Sequence, residues 1–276
     1  MPNLHIHVYT VCYNEEKILP YFLRHYSSFA EKIIVFDNYS TDSSPDIVRS
    51  CPIADLRRFN TNGTFNDLEN IRIKNKSYKE SLGKADFVIV VDMDEFLYHP
   101  QILELLRRYK SDGVTLPKTI GYDMISWRFP RSSKPFVENM RIGRESPSYA
   151  KRCIFHPEVD INFQVGAHTC NAAGNILESN SADIKLLHYH YLGLLRIIRK
   201  HRAFKRRLSQ FNLEHKLGYQ YTWGALRLVG RFLVYRANSY DIIFGKPSLI
   251  ASMIARWVNA LSRYYWSDDR DNKWKY

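Results

Sequence analysis

With 45% hydrophobic and 25% charged residues, the 276-residue chain can bury a sizeable core, which excludes a disordered class and leaves one large α/β domain, with or without a helical appendage. Lys and Arg number 40 against 28 Asp and Glu, a formal net charge of +12 whose location along the chain has to be found. The four scattered cysteines (Cys12, Cys51, Cys153, Cys170) exclude a disulfide framework or a CxxC zinc site and fit reduced thiols in the cytoplasm.

Residues 5–13 read as a strand and 14–30 as a helix with acids in its first turn. Pro20 falls near the start of that helix, where its missing N–H costs least. Residues 32–38 form a short buried strand ending at Asp37, and "STDSSPDIVRSC" supplies cap candidates, Asp42 among them, for a second helix. A third strand covers 53–59, and a long polar helix 66–83. "DFVIVVD" (86–92) is apolar and β-branched throughout, as in the middle of a parallel sheet, and a helix over 96–110 follows it. Strands separated by helices imply right-handed crossovers and a doubly wound sheet. Further on, 113–129, 147–157 and 184–193 read as strands joined by longer loops. Helical patterns then cover 194–217, 222–240 and 247–265, with a charged tail behind them.

The stretch "DMDEF" places Asp92, Asp94 and Glu95 within four residues at the end of a buried strand. Like charges so close repel and are costly to desolvate, so water or a cation must compensate them. Two carboxylates with open positions suit Mg2+ or Mn2+. The alternative is a solvated turn capping the helix over 96–110. Asp37, at the end of the second strand, is placed to accept a hydrogen bond from a nucleotide base or ribose; the alternative makes it a turn residue beside the cap Asp42. His188 and His190, two apart in a strand, point to one face.

"VYTVCYNEEKILPYFLRHY", "VFDNYSTDSS" and "VIVVDMDEFL" occur in that order and at suitable spacing. Together they resemble the nucleotide-sugar half of family 2-like glycosyltransferases of the GT-A fold, in the branch whose acidic motif reads D-x-D-E-F. "SWRF" (126–129), "AKRCIF" (150–155), "GAH" (166–168) and "HYHY" (188–191) resemble later elements of that branch. The resemblance implies a Rossmann-like mixed sheet flanked by helices. It also implies a catalytic domain over 1–193, with a nucleotide-sugar half (1–100) and an acceptor half (101–193), ahead of a basic helical region over 194–276.

Carried over to this sequence, the resemblance puts Thr10, Cys12, Asn14 and Glu15 where the first strand meets the nucleotide, and Asp37 against the base. Asp94 becomes the more direct metal ligand and Asp92 the one nearer the ribose. Lys74 and Lys76 are phosphate candidates, and His188 or His190 would complete the metal site. His168 is an acceptor or phosphate contact. The implied reaction is inverting displacement by an acceptor hydroxyl on a UDP- or GDP-type sugar, with Mn2+ or Mg2+ as cofactor and a carboxylate as general base. Glu95, Glu145, Glu158 and Asp160 are the acids available for that role.

Between residues 193 and 265 the chain has fourteen Lys or Arg and two acids, so this quarter carries the whole charge excess. "RIIRKHRAFKRR" (196–207) holds seven of these cations and no acid. Basic helices rich in Trp, Tyr and large aliphatics suit an anionic membrane surface; burial on the catalytic domain is the alternative, and no nucleic-acid motif accompanies them. No run nears the roughly 18 apolar residues of a spanning helix and no signal peptide is visible, so a cytoplasmic enzyme, peripheral on the inner face of the membrane, is expected. A glycan or glycolipid of cell-surface polysaccharide or lipopolysaccharide synthesis is the expected acceptor. Two rival classes are a metal-dependent nucleotidyltransferase or phosphohydrolase and a non-catalytic sugar-binding module. A pyrophosphorylase-type enzyme would show a glycine-rich phosphate loop where this chain has "CYNEE".

Overall fold

The structure is a computed structural model, and it describes residues 4–130 and 135–245. The first half alternates as its sequence predicts. It runs β1 (Ile6–Cys12), α1 (Leu19–Tyr26), β2 (Lys32–Asp37), α2 (Ser44–Arg49), β3 (Ala54–Arg58), α3 (Asp67–Lys76) and β4 (Phe87–Val90). Asn66 caps α3, its side-chain oxygen accepting from the backbone N–H groups of Leu68 and Glu69. The long polar helix over 66–83 ends at Lys76 and tightens into a 3-10 turn over Ser77–Ser81.

The parallel order β3-β2-β1-β4 reverses direction at β1, and the two-residue β8 (Ile154–Phe155) closes the sheet antiparallel to β4. In β1 and β4, Ile6, Val8, Phe87 and Ile89 face one apolar layer, while Tyr9, Val88 and Val90 face the other. Both faces are therefore covered, which is why these strands read as continuous apolar runs.

The second half departs from its predicted elements. Residues 95–98 form strand β5 (Glu95–Tyr98), and the helix expected over 96–110 is shorter, α4 (Ile102–Ser111). Pro100 disfavours helical geometry at His99, and the later strand β9 (Ile184–Leu192) offers β5 an antiparallel partner. Then come β6 (Thr119–Ser126), α5 (Phe136–Asn139), β7 (Ile142–Glu145), β8 (Ile154–Phe155) and β9 (Ile184–Leu192). The strand expected over 147–157 is broken into a 3-10 turn at Pro147–Tyr149 and the short β8. The basic region follows as α6 (Leu194–Arg207), α7 (Gln210–Glu214), α8 (Ala225–Ala237) and β10 (Tyr240–Asp241).

The second sheet has the order β10-β7-β6-β9-β5. The helix predicted over 194–217 breaks at Leu208, because the loop at Phe65 pairs with that backbone and Ser209 then caps α7. Leu228 and Phe232 of α8 and Ile197 of α6 share one apolar cluster with Ile125 and Tyr191 of the second sheet. The helical pattern over 247–265 lies outside the described residues. Among the described residues no helix is long and apolar enough to cross a membrane.

Candidate active site

Strand register builds the site. Pairing of β5 with β9 sets Glu95 opposite His188, and pairing of β6 with β9 sets Asp123 opposite the same histidine. Asp94, one residue before Glu95, is tied to β9 by the Tyr189 N–H, which donates to its carbonyl at 2.7 Å. Two-residue periodicity brings His190 to the face of His188. The result is a trio, Asp94 and His188 buried and His190 half-buried, whose ligand atoms lie within 4.8 Å of one another.

Asp94 Oδ1 is 3.8 Å from His188 Nε2, and Oδ2 is 3.9 Å from His190 Nδ1. Asp123 holds His188 Nδ1 at 3.0 Å, and the Tyr149 ring stacks on the imidazole at 3.9 Å between centroids. Partners on two sides leave Nε2 turned toward Asp94, the outer-shell arrangement common to metal-binding histidines. One carboxylate with two imidazoles suits Mn2+ better than Mg2+, which prefers oxygen ligands and keeps its waters. The donor set therefore fits the cation that the sequence implied.

Burial would raise the Asp94 carboxyl, but Lys200 and His188 outweigh it and hold it well below the usual range. Burial likewise opposes a charged His188, yet Asp94 and Asp123 raise it above its ordinary value. For His190 burial wins, pushing it down to about 4 despite the nearby Asp94 carboxylate. A neutral imidazole is the form that binds a metal.

The three crowded carboxylates each have a lysine. Lys74 Nζ donates to Asp92 at 2.5 Å, and Lys200 Nζ to Asp94 at 3.2 Å. Lys151 pairs with Glu95, its Nζ also 3.4 Å from Asp92. Glu95 is therefore neither a solvated residue nor a helix cap. It starts β5, is 1% exposed, and accepts the Asp92 N–H at 2.9 Å, which closes the loop. Lys151 reaches it because the Pro147–Tyr149 turn presses on β6 at Gly121. A Cβ there would lie 2.2 Å from the Tyr149 carbonyl carbon, so the approach requires glycine.

Asp92, Asp94 and the three lysines line a cavity of about 580 Å3 at the carboxyl ends of β1 and β4, while Glu95, a general-base candidate from the sequence, is buried against Lys151 outside that lining. Of the residues singled out from the sequence, Cys12, Glu15, Lys74, Asp92, Asp94, His168, His188 and His190 border it. Burial pushes the Cys12 thiol up to about 12 and His168 down to about 3.

Others lie outside its lining. Thr10 is buried in β1, and Asn14 is bound to Ser40 and Thr41. Asp37 pairs with Arg58 and accepts the Ser40 N–H, while its Oδ1 is buried without a hydrogen bond and Asn38 faces the cavity in its place. Lys76, Glu145 and Glu158 are exposed, and Asp160 pairs with Lys79 at 2.9 Å. Asp42 accepts from the Ser44 N–H at 2.9 Å and so serves the start of α2.

Sequence reasoning missed Asp123, Tyr149, Lys151 and Lys200. Arg196 and Lys200, four apart and so on one face of α6, both reach Glu15, at 3.5 and 2.8 Å. That spacing was the available signal for Lys200; the place of Asp123 depends on strand register, and that of Lys151 on the approach of the Pro147–Tyr149 turn to β6.

The sequence model of glycosyl transferase family 2 matches residues 7–169, more than half of the chain, from β1 to just past His168. The chain belongs to glycosyl transferase family 2. No curated protein matches it in sequence. Solved structures similar to this family 2 chain include TarS of S. aureus, at 16% identity and a TM-score of 0.41, covering 95% of this chain and 48% of that one. A TarS chain of residues 1–349 in complex with UDP is 15% identical, with a TM-score of 0.41 and coverage of 95% and 80%. Glucosyl-3-phosphoglycerate synthase from Mycobacterium tuberculosis, in complex with Mn2+, UDP and glucosyl-3-phosphoglycerate, is 20% identical, with a TM-score of 0.29 and coverage of 43% and 44%. The chain spans about half the length of the first of these structures. Its mixed α/β architecture is the GT-A arrangement expected for the family.

Proposed function

We propose that this family 2 chain is a Mn2+-dependent, inverting glycosyltransferase that moves a sugar from a UDP- or GDP-type nucleotide-diphospho-sugar to a hydroxyl of a glycan or glycolipid. The observation that carries the reading is the convergence of Asp94, His188 and His190 inside the cavity at the carboxyl ends of the parallel strands. Asp94, His188 and His190 would hold the cation, with Asp123 orienting His188. When bound, the cation supplies positive charge that stabilises the departing nucleoside diphosphate. Lys74 and Lys151, both on Asp92, add fixed positive charge beside it. Cys12, Tyr13 and Asn38 line the end of the cavity that would take the nucleoside, where the Asn38 side chain supplies polar groups for a base.

Thermal unfolding of the full chain with UDP or GDP tests this reading, since a ligand bound only by the folded state raises its apparent stability. A rise in Tm with Mn2+ and one nucleotide together, and not with either alone, is expected; no Mn2+-dependent rise with either nucleotide would overturn it.

The acceptor we propose belongs to cell-surface polysaccharide or lipopolysaccharide synthesis, met at the inner face of the membrane. The support is the concentration of positive charge after residue 193, with Leu195 and Leu226 exposed on α6 and α8. The full chain is expected to sediment with anionic phosphatidylglycerol vesicles, to be released by salt, and to ignore phosphatidylcholine vesicles. Equal behaviour toward both would remove the membrane from the proposal.

A further inference from the structure

Among the described residues, Lys200 is the one lysine or arginine that touches the proposed metal ligands directly. Its Nζ lies 3.2 Å from Asp94 Oδ2, the same oxygen that is 3.9 Å from His190 Nδ1. A second carboxylate, Glu15, holds it at 2.8 Å, and its side chain is only 14% exposed. α6, which carries it, is set by Gly193, whose φ of +79° turns the chain sharply out of β9. An ammonium and a divalent cation cannot share Asp94 Oδ2 at these separations, because like charges a few ångströms apart in a buried site repel strongly. Lys200 must therefore leave Asp94 when the metal arrives, and it needs a new anion as it does so. Glu15 alone is a poor destination, since Arg196 already lies 3.5 Å from its other oxygen.

We propose that Lys200 is an internal counter-cation: it neutralises Asp94 in the empty cavity and passes to a phosphate oxygen of the nucleoside diphosphate when metal and nucleotide bind. This rests on the proposed function and adds to it a positioning residue and a binding order. Metal alone binds weakly because it must displace Lys200 with nothing to receive it. Nucleotide alone binds weakly because Lys200 is engaged with Asp94. Together each removes the other's cost, so the two bind with positive coupling, and by linkage the coupling is the same in both directions.

The test is Mn2+ titration of the full chain, followed by the electron paramagnetic resonance signal of free Mn2+, and then nucleotide titration by calorimetry at saturating Mn2+, with UDP and GDP each tried. In Lys200→Met, Mn2+ without nucleotide is expected to bind about tenfold tighter and the nucleotide about tenfold weaker, so the coupling falls by about the same factor. Opposite signs are the diagnostic, since a merely structural loss would weaken both. Glu15 keeps Arg196 in the variant, and Lys200→Gln, which retains a polar group, repeats the measurement should Lys200→Met not fold. Unchanged or weaker Mn2+ binding in the folded variants overturns the proposal. The underlying reading fails separately: in that case the wild-type chain binds no Mn2+, or Asp94→Asn binds it as well as the wild type does.

Discussion

Asp94→Asn is expected to abolish Mn2+-dependent nucleotide binding and to lower kcat/KM by at least about a thousandfold, the scale set by loss of charge stabilisation on a leaving group. The substitution keeps shape and hydrogen-bonding capacity but removes the anion that faces His188 and His190. The fold should survive it. Lys200 retains Glu15, the Tyr189 N–H still meets the carbonyl of residue 94, and one member of a crowded acidic set is gone. Urea denaturation should therefore show a folded variant modestly less stable than the wild type, because a carboxylate held well below its usual range is favoured by its cationic neighbours and Asn gives up that attraction. A large fall in both stability and activity would instead make Asp94 a structural residue.

The second large effect is on folding. Lys151→Met is expected to destabilise the protein by about 3–5 kcal/mol, the cost of leaving a buried charge without its partner. Lys151 and Glu95 have side chains 3% and 1% exposed, so no water can replace the ammonium. Burial by itself would lower the lysine, yet Glu95 and Asp92 raise it above its ordinary value. A lysine raised on folding contributes stability that is complete below the unfolded value, near pH 10.4, and is lost only as pH rises beyond it. At neutral pH the pair is thus fully formed.

The double variant Lys151→Met with Glu95→Gln should recover much of the loss at neutral pH, because it removes the buried charge that the single variant leaves without its cation. Denaturation curves of the two variants check both statements, and a single variant as stable as the wild type would contradict them.

What could be read from the sequence, and what could not, divides by the range of the interactions involved. β1, β2 and β4 were legible because a parallel strand covered on both faces is a continuous apolar run, and nothing distant is needed to recognise it. The chemistry of "DMDEF" was legible for the same reason: three carboxylates in four residues demand compensation wherever they sit. The compensating groups were not. Lys74, Lys151 and Lys200 come from three different elements, 18, 56 and 106 residues away from the acids they meet. The same limit explains β5, where the local pattern favoured a helix and the partner that makes it a strand is β9, almost a hundred residues on. Asp123 was invisible because its role is defined only by the register that sets it opposite His188. The two histidines, by contrast, were placed on one face by their spacing alone.

The relief of charge at the acidic motif therefore has two layers in this account. Lys74 and Lys151 hold Asp92 and Glu95 permanently, while Asp94 is left with a lysine that can be exchanged for a metal. The most direct measurement is a crystal grown with Mn2+ and UDP, or with Mn2+ and GDP, with diffraction recorded on both sides of the manganese absorption edge. The account predicts one anomalous peak bonded to Asp94 Oδ, to His188 Nε2 and to His190 Nδ1, with Lys200 drawn off Asp94. A peak held elsewhere, or a bound nucleotide with no manganese at this trio, would contradict it.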